Sequence, residues 1–208
     1  MGQKMICGVN VARRMTLHDI DAVVCVHIES FKRFFLTFLG EKFLRVLYSY
    51  FLKDPSGIAI VVESNKGKII GFVAGTLDPS GFYSRAIRAR AISFAFAACF
   101  AILRKPSILG RLCRALRKPT EAAESPGDCE LMTIGVSPTV AGMGVGKVLE
   151  RSFCDEALQR GAKLVRLTTD HCDNDYVNTF YIHQGYVLDS MYTTLEGRKM
   201  NLYLKTLQ

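Results

Sequence analysis

The sequence predicts a mixed α/β fold (α+β), a β-sheet flanked by helices with a helical basic insertion between the third and fourth strands. Three observations carry this. Short β-branched runs alternate with longer segments of helical apolar spacing. A strand, a glycine-alternating loop and an amphipathic helix stand in succession over residues 130–160, and a second strand follows. Nine Arg and Lys with no Asp or Glu fall between Pro79 and Thr120.

Taken in order, Val9–Met15 reads as the first strand. Thr16 is an N-cap for a helix over Leu17–Glu29, with Asp19 at the capping-box offset. After the aromatic stretch Phe31–Leu39, Gly40 precedes a helix over Glu41–Leu52, where Phe43, Leu44, Leu47, Tyr48 and Phe51 form a core stripe. Ile58–Glu63 and Lys68–Leu77 are paired strands around Asn65-Lys66-Gly67. Gly71 and Gly75 inside the second strand mark bulges or close backbone approach. The basic segment has an apolar centre at Ala91–Leu103, too short for a bilayer, which needs about 20 residues. Pro106 breaks it before a short helix over Ile108–Leu116, and 118–128 is a polar loop. Glu130–Val136 is then a strand, and Gly144–Arg160 a helix with Val145, Leu149, Phe153 and Ala157 on one face, ended by Gly161. Lys163–Thr169 is a strand whose crossover makes it parallel to the one before. Asn174–His183 is a short helix stopped by Gly185, and Tyr186–Thr194 with Lys199–Thr206 closes the chain as a β pair.

The chain has 208 residues, 49% hydrophobic and 22% charged, which excludes whole-chain disorder and leaves room for a core without staples. Its 7 cysteines are scattered, with no Cys-x-x-Cys, against a disulfide framework or a cysteine-rich zinc site. The N-terminus lacks the apolar region of a signal peptide, and Ile6 stands where a myristoylation signal needs Ser or Thr. A reduced, cytoplasmic protein is the expectation. The formal charge is +8, and outside residues 79–120 the chain holds 18 basic against 19 acidic residues, so it is no general polyanion binder.

Chemistry concentrates in Val136-Ser137-Pro138-Thr139-Val140-Ala141-Gly142-Met143-Gly144-Val145-Gly146. Glycines where a strand gives way to a helix let successive amides converge on an anion such as a pyrophosphate, or simply make a tight turn. Gly146-Lys147 is followed by Val148, which excludes a Walker loop, and the position is too late for a Rossmann fingerprint.

Val136, Pro138, Gly144 and Gly146 match the signature Val-x-Pro-x-x-[Gln/Arg]-x-x-Gly-x-[Gly/Ala] of the GNAT superfamily of acetyl-CoA-dependent N-acetyltransferases, which the sequence resembles. Ala141 stands in place of Gln or Arg. A second family element is matched by Asn174, Phe180, Tyr181, Gly185 and Tyr186, with Val177 replacing Ala. The resemblance implies one domain over residues 1–208 with a helical insertion at 79–128, and a mixed sheet splayed between the fourth and fifth strands. Acetyl-CoA would lie in that cleft. Its pantetheine arm would meet the backbone at Ile134 and Val136 and the Asn174 side chain, unless Asn174 only caps its helix. Its pyrophosphate would meet Ala141, Gly142, Met143, Gly144, Val145, Gly146 and Lys147.

Acetyl transfer needs a base for the amine and an acid for the thiolate. Glu130, which two-residue alternation puts on one face with Met132, Ile134 and Val136, matches the family's base, or else is a solvated flank. Tyr181 matches the family's acid, or else anchors the last helix. Cys129 would need an activating environment to be a nucleophile. His171, Cys172 and Asp173 are adjacent in sequence and ill placed to share an ion, and no metal is expected. His183 is expected on the exposed side. Phe31, Phe34, Phe35 and Tyr83 wall the acceptor pocket or belong to the core.

The expected activity is acetyl transfer from acetyl-CoA to the primary amine of a small molecule, an amino sugar or sugar nucleotide, by direct attack in a ternary complex. The alternatives are a non-catalytic acyl-CoA-binding or regulatory module and a protein-amine acetyltransferase. The basic segment is a platform for an anionic substrate, a peripheral membrane contact, or a helical cap or homodimer contact. No DNA- or RNA-binding motif accompanies the charge, so nucleic acid is not an expected partner.

Overall fold

The structure, a computed structural model, describes residues 9–32, 34–104, 128–194 and 197–208. The predicted helix over residues 108–116 and the loop after it lie outside these residues. The strands are β1 (Val9–Arg14), β2 (Gly57–Ser64), β3 (Ile69–Thr76), β4 (Asp128–Val136), β5 (Leu164–Asp170), β6 (Val187–Thr193) and β7 (Lys199–Thr206). The helices are α1 (Ile20–Ser30), α2 (Phe35–Phe38), α3 (Glu41–Lys53), α4 (Phe82–Arg104), α5 (Val145–Gln159) and α6 (Asp175–His183). The sheet runs β1-β2-β3-β4-β5-β7-β6. Among the described strands only β4 and β5 pair in parallel, and every other neighbouring pair is antiparallel.

β2 and β3 sit in the middle of the first four strands, so both of their faces are covered, and Ile58–Val62 and Ile69–Ala74 are apolar and buried. Ala59, Val61, Phe72 and Ala74 pack against Val23 and Val24 of α1 and Leu44, Tyr48 and Phe51 of α3. Ile58, Ile60, Val62 and Val73 pack on the opposite side with Val145, Leu149, Phe153 and Ala157 of α5. The helical stripe read from residues 145–157 is therefore the face that covers the sheet. Burying each Val, Leu or Phe of that stripe contributes about 1.5–3 kcal/mol.

Gly75 lets α5 come close. A Cβ there would lie 2.6 Å from the ring of Phe153 and would also strike the Glu130 carbonyl oxygen. The β2–β3 register shifts between Val62 and Glu63 and leaves Ile70 as an extra residue beside Gly71, so β3 has both of its predicted features, a bulge and a close approach.

At the N-terminus the expected helix is split. A 3-10 turn at Leu17–Asp19 precedes α1. Asp19 reaches back to the Thr16 amide at 2.7 Å and also takes both guanidinium ends of Arg13 at 2.7 Å, which hold its carboxyl at about 2. α4 starts nine residues before the apolar centre that predicts it. Phe82 anchors its first turn against Phe51 and Tyr50, with ring centroids 4.6 and 5.3 Å apart. Its axis breaks at Arg90, where φ is −136° and ψ 28°. Arg85 is committed locally to the backbone and carboxylate of Asp78, whereas Arg88 is exposed.

Candidate active site

Among the described residues β4 and β5 share the rungs Asp128–Leu164, Cys129–Val165 and Glu130–Arg166 alone. Beyond them β4 stays on β3 and β5 stays on β7, so the two strands part. The result is a wedge-shaped gap with Glu130 and Arg166 at its apex. Arg166 is only 5% exposed, and its Nε and Nη2 both lie 3.5 Å from Oε2 of Glu130.

A bulge in β4 corrects one expectation. Thr133 pairs with Ala74 and Leu131 with Gly75, which leaves Met132 as the extra residue. An extra residue inverts the two-residue alternation beyond it. Cys129 and Leu131 pack towards α5, Met132 packs towards α1 and α3, and Ile134 and Val136 return to the α5 side. Glu130 therefore does not share a face with Ile134 and Val136.

On the α1–α3 side, the hydroxyl of Tyr83 is enclosed although the residue is 37% exposed overall. Burial first, and the charge of Glu130 next, push its phenol above the ordinary range. Behind it the Tyr48 hydroxyl meets Thr133 of β4 and, at 2.7 Å, Nδ1 of His27. Phe31 is half-buried with its ring 5.2 Å from that of the exposed Phe34. The side chain of Phe35 lies outside the described residues.

The glycine loop leaves the end of β4 with the Ser137 amide bonded to the Ile70 carbonyl at 2.8 Å. A 3-10 turn at Pro138–Val140 follows. The Ala141 and Met143 amides turn back onto the carbonyls of Pro138 and Val140 at 3.4 and 3.3 Å, so the predicted row of amides narrows to the residues around them. Gly142 and Gly144 have φ of 79° and 81°, a region L-residues avoid, and Gly144 is the N-cap of α5. The first-turn amides of Val145, Gly146 and Lys147 have no intrahelical acceptor, which with the helix dipole suits an anion. A Cβ on Gly146 would lie 3.6 Å from the ring of Phe180, so the two sequence motifs meet at this point.

Tyr181, on α6, is 4% exposed and packs in the α5-side cluster, with ring centroids 5.1 Å from Phe180 and 5.4 Å from Tyr186. Burial, aided by the charge of Glu150, pushes its phenol well above the ordinary range. Glu150 itself is 1% exposed and accepts from Lys205 Nζ at 2.8 Å and Cys154 Sγ at 3.0 Å. Asn174 occupies the N-cap position of α6 without a side-chain cap; its amide donates to the Asp170 carbonyl at 3.3 Å.

The remaining candidates separate clearly. Cys129 is fully buried and burial pushes its thiol up to about 12, so it is no thiolate nucleophile. Nδ1 of His171 meets Asn201 Oδ1 at 2.9 Å, and His183 is exposed. Among the described residues, no three His, Cys, Asp or Glu side chains gather as a metal site. Sequence reasoning missed Arg166, whose one trace is a lone cation inside the apolar run Leu164–Leu167.

The arrangement resembles known proteins. The fold matches an N-acetyltransferase from Staphylococcus aureus at 12% identity, over 95% of this chain and 98% of that one, with a TM-score of 0.62. It matches a ribosomal-protein-alanine N-acetyltransferase from Brucella melitensis at 12% identity, over 95% and 99%, with a TM-score of 0.62. A chimeric spermidine N-acetyltransferase from Vibrio cholerae matches at 12% identity, over 95% of both chains, with a TM-score of 0.62. No curated protein sequence matches the chain. The sequence pattern of the Acetyltransferase (GNAT) family matches residues 27–186. The chain belongs to the Acetyltransferase (GNAT) family and is an acetyl-CoA-dependent N-acetyltransferase.

Proposed function

We propose that this enzyme acetylates the primary amine of a small molecule by direct attack in a ternary complex, with Glu130 as general base and Tyr181 as general acid. The observation that carries the reading is the parting of β4 from β5 just after the Glu130–Arg166 rung. A thioester threaded through that gap would have the Glu130 side of the sheet on one hand and the Tyr181 cluster on the other. The pantetheine arm runs along Ile134 and Val136 towards Asn174, and the pyrophosphate sits on the amides of the loop 141–147.

Glu130 takes a proton from the ammonium, directly or through water. The freed nitrogen attacks the thioester carbonyl, the C–S bond breaks, and the nitrogen gives up its second proton to solvent as the amide forms. Tyr181 gives its proton to the departing thiolate; burial keeps the phenol protonated until that step. Solvent restores both groups. Of the expected acceptors, a sugar nucleotide suits the concentration of positive charge between residues 79 and 120, which repels a polycation. The solved neighbours act on acceptors as different as spermidine and a ribosomal protein, and a shared fold does not select among them.

The test is release of free thiol from acetyl-CoA across an amine library, with products read by mass spectrometry. Glu130→Gln is expected to lower kcat about 100-fold or more, and Tyr181→Phe about 10-fold or more, with acetyl-CoA binding retained. Tight coenzyme binding without turnover of any amine, or variants at the wild-type rate, overturns the proposal.

A further inference from the structure

Arg166 holds more hydrogen-bonding capacity than its surroundings use. Glu130 Oε2 stands 3.5 Å from both Nε and Nη2, a loose contact on one side of the guanidinium. The end fork, Nη1 with the second N–H of Nη2, has no hydrogen-bond partner among the described residues. Planar forks of this kind pair two oxygens at once, as in a carboxylate or a phosphate.

We infer that Arg166 selects the acceptor: its second fork takes an anionic group on the same molecule whose amine Glu130 receives, so the acceptor is an amine that carries its own anion. This rests on the assignment of Glu130 to the amine. Side by side at one rung, a carboxylate and a guanidinium form a two-signed contact that a zwitterion completes and a plain polyamine does not. Tyr83, whose hydroxyl feels the charge of Glu130, borders the same spot from α4. The surplus positive charge of the chain favours the same class of ligand.

The experiment uses matched pairs of amines with the full chain loaded with coenzyme. L-alanine against L-alaninamide tests a carboxylate, while O-phosphoethanolamine against ethanolamine and glucosamine 6-phosphate against glucosamine test a phosphate. Calorimetry reads binding and thiol release reads turnover. In at least one pair the anionic member is expected to bind about tenfold tighter, with the gain in KM rather than kcat. Arg166→Gln is expected to bring that pair to parity, and Arg166→Lys to keep part of the preference because charge remains while the fork is lost. Glu130→Gln lowers turnover of both members and leaves their ratio, which separates failure of the base from failure of this inference. No preference for any anionic member in the wild type, or an equal loss for both members in Arg166→Gln, overturns it. Should Arg166→Gln not fold, the wild-type ratios and the Lys variant decide.

Discussion

Nδ1 of His27 lies 2.7 Å from the hydroxyl of Tyr48, while Nε2 of the same ring has no partner among the described residues. The ring stacks on Phe72 with centroids 6.1 Å apart. Burial holds its pKa down at about 4, so it is neutral in the folded protein at pH 7. The unfolded chain takes up this proton near 6.5, ahead of the folded one. Stability is therefore complete above about 6.5 and falls as pH drops towards 4, by about 3 kcal/mol from this group. Urea unfolding at about pH 7 and about pH 4.5 checks it: His27→Gln is expected to lose most of the acid-dependent slope.

Gly75 marks the tightest approach of α5 to the sheet. A methyl group there meets the Phe153 ring at 2.6 Å and the Glu130 carbonyl. Backbone cannot yield as a side chain can, so Gly75→Ala is expected to destabilise by about 2 kcal/mol or more. Since the obstacle is next to Glu130, turnover is expected to fall with it. A thermal midpoint equal to the wild type would contradict the packing described.

Gly144 tests the loop by another route. A Cβ there meets nothing within 4 Å, so any effect of Gly144→Ala comes from its φ of 81°. An L-residue in that region costs about 1–2 kcal/mol. The expected outcome is a modest fall in thermal midpoint with a several-fold rise in KM for acetyl-CoA and little change in kcat. An unchanged KM would remove the loop from coenzyme binding.

Lys205 neutralises Glu150 at 2.8 Å in a site where the carboxylate side chain is 2% exposed. Removing one member of a buried pair leaves the other uncompensated, so Lys205→Met is expected to cost about 3 kcal/mol. Adding Glu150→Gln is expected to recover much of that loss. Denaturant titration of the two single variants and the double variant closes the cycle.

Local pattern reached far along this chain, and failed where partners across the sheet decide. The core face of α5 followed from spacing alone, because a lone helix on a sheet buries one stripe. β7 ends where the alternating run ends. Two-residue alternation groups Glu130 with Ile134 and Val136, and the structure parts them because the extra residue, Met132, shows only in the pairing with β3. The start of α4 was missed because its first turns mix arginines with Phe82 and Ala86, whose burial depends on α3. Arg166 could not be matched with Glu130 from a sequence in which they stand 36 residues apart. The same holds for His27 and Tyr48, 21 residues apart on two helices.

Among the described residues three rungs, 128–130 against 164–166, stitch a four-strand ladder to a three-strand one. The sheet is thus two ladders sharing a narrow seam, and whatever enters below the seam touches both. A long, flexible thioester lying there would act as an intervening strand and clamp the two ladders together. Amide exchange along 131–136 and 167–170 would then slow in concert, although no residue of one run pairs with the other.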